Sequence, residues 1–145
     1  MPEDRADWSQ RRRDAAAEHV EVLARRKAAE SQRARAQLAQ FVAAARERGL
    51  EPEPLRARAH NGRTTYRTGI TGWYLKRNGS LGVDTEGNFY VLSAPTSLRS
   101  RLAGTAVEPS DPPLVVGVGG RDGESMPLQE LLDRRLQAGT DWERA

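Results

Sequence analysis

Between Leu55 and Val83 the chain carries six cations, Arg56, Arg58, Arg63, Arg67, Lys76 and Arg77, and not one carboxylate. Tyr66, Trp73 and Tyr74 are interleaved with them. Cationic side chains beside aromatic faces suit phosphate contact combined with base stacking, the chemistry of single-stranded nucleic-acid binding. An RNA- or DNA-binding module built on these six cations with Tyr66 and Trp73 is therefore one function the sequence supports. Two features weigh against it. Trp73 and Tyr74 are adjacent in a strand whose two faces both read as buried, so at least one belongs to a core. The charge is also evenly spread: residues 1–50 hold 11 basic and 8 acidic groups and the remaining 95 hold 12 of each, whereas dedicated nucleic-acid domains concentrate their cations.

No other set of residues makes a chemical centre. His19 sits among charges in a helical segment and His60 in a loop. There is no Cys, which excludes thiol chemistry, disulfides and zinc sites of the Cys type. The glycine-rich run from Gly117 to Gly123 follows a strand and precedes a helix, as a phosphate loop would. It matches neither G-x-G-x-x-G nor the Walker pattern, and Glu124 stands where an anion would approach the helix start. Asp84 to Asn88 is too short for a calcium loop, and no Ser lies in a nucleophile-elbow context. The expectation is a non-enzyme with no catalytic residue, metal, cofactor or small-molecule substrate.

The element that dominates the chain is a helical signal from Pro2 to Gly49. Acids crowd its start, Ala, Arg, Gln and Glu fill its interior without Gly or Pro, and Gly49 with Pro52 and Pro54 ends it. A helix of that length extends roughly 65–70 Å, more than the rest of a 145-residue chain can shelter. Val20, Leu23, Ala34, Leu38 and Phe41 fall near a heptad register, with Lys27 and Glu30 between them as a polar waist. These five residues are the candidate partner-binding face. They point to a protein–protein interaction or scaffold protein that self-associates, as a homodimer, or engages another protein through its long helix; nucleic-acid binding is the alternative.

Residues 51–62 read as a linker, residues 63–139 as a small α+β domain, and 140–145 as a flexible tail. Ile70–Arg77, Ser80–Asp84 and Asn88–Ser93 form a predicted three-stranded meander with turns at Asn78-Gly79 and Thr85-Glu86-Gly87. Counting outward from Asn78-Gly79 pairs Tyr74 with Val83; counting from the second turn pairs Val83 with Phe89. A short helical turn is expected through Leu98 and Leu102, and a further strand over Leu114–Val118. Ser125 is expected to cap a C-terminal helix whose Leu128, Leu131, Leu132 and Leu136 cover the sheet, with Gly139 as its stop. The fold class is thus α+β: a long N-terminal helix, an antiparallel meander and a packed amphipathic helix. No window approaches the length of apolar sequence that spans a bilayer, and the acidic start lacks the basic region of a leader. A cytoplasmic protein with no membrane partner is expected.

Overall fold

A computed structural model of the chain describes residues 2–59, 64–94, 107–117 and 125–142. Its first element, α1, is one unbroken helix over Pro2–Glu47. The stop is a property of Gly49, whose positive φ of 73° lets the chain turn back. The Gly49 N–H then donates to the Arg46 carbonyl and the Leu50 N–H to the Ala45 carbonyl, at 3.1 and 2.9 Å, a Schellman closure that also buries Leu50. That closure has a tertiary consequence: the Leu50 carbonyl accepts the indole N–H of Trp73 at 3.1 Å.

Five strands follow: β1 (Glu53–Ala59), β2 (Thr65–Tyr74), β3 (Leu81–Asp84), β4 (Phe89–Val91) and β5 (Ser93–Ala94). They form one sheet in the order β4-β3-β2-β1-β5. The first four are antiparallel neighbours, and β5 lies parallel to β1. A separate two-stranded ribbon joins β6 (Val115–Val116) to β7 (Met126–Pro127), and α2 (Leu128–Ala138) ends at Gly139 as expected. The class is α+β, with the long leading helix and the C-terminal helix packed as the hydrophobic spacing predicts.

One face of the sheet presents Trp73, Leu75, Val83 and Phe89 to the last turns of α1 and to Leu128, Leu131 and Leu132 of α2. Phe41 meets Trp73 edge to face with ring centroids 6.1 Å apart. The other face gathers Leu55, Tyr74, Tyr90 and Leu92, with Ile70, Val107 and Trp142 around them.

Several expectations are corrected. Residues 53–59, read as linker because of Pro52 and Pro54, are β1. The prolines sit at its start, where a missing N–H is tolerated, and the ladder is irregular between Pro54 and Arg56. From there Leu55 and Ala57 point inward while Arg56 is exposed and Arg58 half-buried. The first hairpin is also shifted by one residue. The turn closes from the Lys76 carbonyl to the Gly79 N–H, placing Arg77-Asn78 at its centre and Gly79 in the left-handed region at φ 73°. Trp73 therefore pairs with Val83, and Tyr74 with Gly82. A one-residue slip exchanges the two faces of a strand, so Trp73 joins the helix side and Tyr74 the opposite cluster. The second hairpin pairs Val83 with Phe89 as counted. Ser125 does not cap α2; Pro127 holds that position without a side-chain cap. Trp142, expected in a flexible tail, lies over the Arg135 guanidinium at 4.3 Å. The helical turn through Leu98 and Leu102 and the loop 119–123 lie outside the described residues, as do His60 and Arg63.

Candidate interaction surface

Among the described residues, burial of α1 against its own body begins at Glu30. The Glu30 carboxylate accepts the Leu114 N–H at 3.1 Å, and Arg35 pairs with Asp111 at 2.8 Å, binding the 107–117 segment to the helix. Past this point Ser31, Ala34, Leu38, Phe41, Val42 and Ala45 are buried at the three- and four-residue spacing of one helical face. Before it, every residue from 5 to 29 is exposed, an arm of about 37 Å at 1.5 Å per residue.

The five heptad residues thus divide. Ala34, Leu38 and Phe41 are 0%, 0% and 2% exposed and belong to the core, not to a surface. Val20 and Leu23 stand 65% and 49% exposed on the arm, with Trp8 and Val22 also in water. The physical reason is simple. Heptad spacing records which residues share a face, and only the fold decides how much of that face the body reaches.

The arm's charges are ordered around its axis. With Val20 and Leu23 as the a and d positions of a seam, the flanking g positions of the arm are Arg5, Arg12, His19 and Arg26, a basic row repeating about every 10.5 Å. The corresponding e positions, Gln10, Ala17, Ala24 and Ser31, are uncharged. At about 100° per residue, Asp7, Asp14, Glu18 and Glu21 fall within one arc of about 60° on the side away from the seam. Two of these acids have local partners: Gln10 donates to Asp14 at 3.0 Å, and Arg25 lies 3.9 Å from Glu21. In the row, the Arg12 guanidinium stacks over Trp8 at 4.6 Å. Trp8 and the seven-residue basic repeat were legible as spacing in the sequence, but surplus arginine elsewhere in the helix hides the pattern.

The acid-free stretch is only partly assembled as a surface. Arg56 and Arg67 are directly opposed across β1 and β2, both exposed, with Arg58 half-buried on the same face. Arg56 donates to the Thr65 hydroxyl at 3.0 Å. Arg77 is exposed in the hairpin turn away from them, and Lys76 is half-buried. Trp73 is 1% exposed and offers no face for stacking, and Tyr66 is half-buried.

A cleft of about 380 Å³ opens where α1 ends against α2, lined by Leu50, Glu51, Glu53, Tyr74, Arg135 and Trp142 among others. Its cation is already engaged. Arg135 donates to the Tyr74 carbonyl at 3.1 Å and to the Gly139 carbonyl at 2.9 Å. Burial lowers its pKa, and Glu53 opposes that shift. With carboxylates at the rim and carbonyls on the guanidinium, the cluster reads as a clamp between α2 and the sheet. No helix among the described residues is long and apolar enough to cross a membrane. Neither a protein-family model, nor a curated protein, nor a solved structure matches this chain.

Proposed function

We propose that this is a non-catalytic, intracellular protein–protein interaction or scaffold protein whose body anchors α1 and whose arm engages another polypeptide. The observation that carries the reading is the run from 5 to 29: helical throughout, exposed at every residue, and displaying Trp8, Val20, Val22 and Leu23 to water. Helices in proteins gain most of their stability from tertiary packing and are marginal without it, so a long arm with exposed large apolar groups suits a surface that is covered in use. Were the arm to self-associate, the contact would have to run through Val20 and Leu23, since Ala34, Leu38 and Phe41 are in the core. The test is a photo-crosslinking residue placed in the native cell at position 23, with a second placed at the exposed Asp133 of α2 as control. A crosslinked species from position 23 and none from position 133 supports the reading. No product, or equal products from both, removes it.

A second reading is favoured by one observation. Like charges directly opposite across a ladder destabilise a sheet, and an anion between Arg56 and Arg67 would relieve that pair. Phosphate of RNA or DNA at Arg56, Arg58 and Arg67 is that alternative. A mobility shift that weakens steeply with salt and is lost in Arg56→Glu with Arg67→Glu would establish it; no shift at low salt dismisses it.

A further inference from the structure

The arm's charge pattern constrains what can cover it. In an antiparallel pairing with a second copy, g positions face g positions, so Arg5, Arg12 and Arg26 would oppose their own kind. In a parallel pairing the row meets the e positions Ala17, Ala24 and Ser31, which answer none of its charge. Arg13 and Lys27, at a positions on either side of Val20, add cations to the seam itself. Both geometries concentrate positive charge while Asp7, Asp14, Glu18 and Glu21 remain on the far side.

Other anionic surfaces match half of the pattern. Polyphosphate would answer the row but leave Val20 and Leu23 in water. An anionic lipid surface needs an apolar face along the helix, and here Arg13 and Lys27 confine the aliphatic patch to about two turns. A helix with apolar residues on its inner face and carboxylates along one edge satisfies both halves at once.

Resting on the reading of the arm as an interaction surface, we propose that its occupant is an amphipathic helix with an acidic flank rather than a second copy of this chain. Val20, Leu23 and Ala16 take the partner's apolar side chains, and Arg5, Arg12 and Arg26 pair with its carboxylates. Charge at the flanking positions selects partners by attraction to one and repulsion of others.

The test uses the full chain and two synthetic four-heptad peptides, each with Leu at a and d. One carries Glu and the other Lys at e and g. Fluorescence anisotropy is expected to show at least tenfold tighter binding of the Glu peptide, weakened by salt through screening. Arg12→Glu with Arg26→Glu reverses the preference, and Leu23→Asp abolishes binding of either peptide. Because these positions are exposed, circular dichroism and the melting transition of the body stay unchanged. Equal affinity for the two peptides, or no binding of either, overturns the proposal. So does tighter binding of duplex DNA or phosphatidylserine vesicles that is lost in the Arg12→Glu, Arg26→Glu variant. An arm-dependent dimer in sedimentation without a peptide preference overturns the partner's chemistry while leaving the interaction arm standing; absence of crosslinking at position 23 removes the arm reading itself.

Discussion

Leu23 and Leu38 are the same residue on the same helix, and the structure assigns them opposite energetic roles. Leu38 is fully buried in the cluster with Ala34, Phe41 and Trp73, so Leu38→Ala loses the transfer energy of its side chain and leaves a cavity, at a cost of about 2–5 kcal/mol. Leu23 is 49% exposed and beyond the reach of the body. Its truncation removes little that folding buried, and Ala is at least as good a helix former, so the change stays within about 0.5 kcal/mol. With a urea dependence of about 2 kcal/mol per molar, a mid-range loss of about 3 kcal/mol moves the Leu38→Ala midpoint by about 1.5 M. The Leu23→Ala midpoint moves by less than about 0.25 M. Tryptophan fluorescence reports the transition, since Trp73 goes from 1% exposed to fully hydrated. Were Leu23→Ala to cost as much as Leu38→Ala at low protein concentration, the arm would be packed in the folded monomer and not free of the body. A loss for Leu23→Ala that grows with protein concentration signals a bound copy instead.

Three further outcomes follow from particular contacts. A Cβ built on Gly72 falls on the Val83 carbonyl oxygen, backbone that cannot swing away; Gly72→Ala is expected to cost about 3 kcal/mol or more. A thermal midpoint left unchanged would show that β2 and β3 do not pair in this register. Burial alone would raise the pKa of Asp84. Hydrogen bonds from Asn88, the Tyr90 hydroxyl and the Glu86 N–H outweigh it and hold the carboxyl below its usual range. Tyr90 is pushed up to about 12 by burial and by its bond to Asp84. A folded pKa above the unfolded value of about 10 stabilises below that pH and is lost as pH rises through 12. The depressed Asp84 stabilises above the ordinary carboxylate range and is lost as pH falls through its folded value. Tyr90→Phe should therefore flatten the alkaline limb of a stability–pH profile and move the acid limb toward that of an ordinary carboxylate; an unaltered profile counts against the pair. Trp142→Ala removes the ring over Arg135 and should cost about 1–2 kcal/mol, Arg135→Ala about 2–4 kcal/mol. Arg135→Lys should not restore stability, because one ammonium cannot reproduce the planar fork that spans two carbonyls; full rescue in a urea melt would contradict the clamp.

Local chemistry in the sequence determined the long helix, its stop at Gly49, the register of the hairpin through Gly87 and the leucine face of α2. Each depends on residues within a few positions of one another. The spacing of Val20, Leu23, Ala34, Leu38 and Phe41 likewise showed that they share a face of α1. Tertiary structure alone decided where that face is covered, because burial depends on the distance the small body reaches along the rod. It also decided that 53–59 is a strand, since a segment preceded by Pro52 and carrying Pro54 becomes β1 only when β2 supplies its ladder. The exchange of Trp73 and Tyr74 between faces came from a turn closing one residue earlier than Asn78-Gly79 implied. A single residue of register is too small a step for composition to mark, and large enough to turn a candidate stacking platform into the centre of the core.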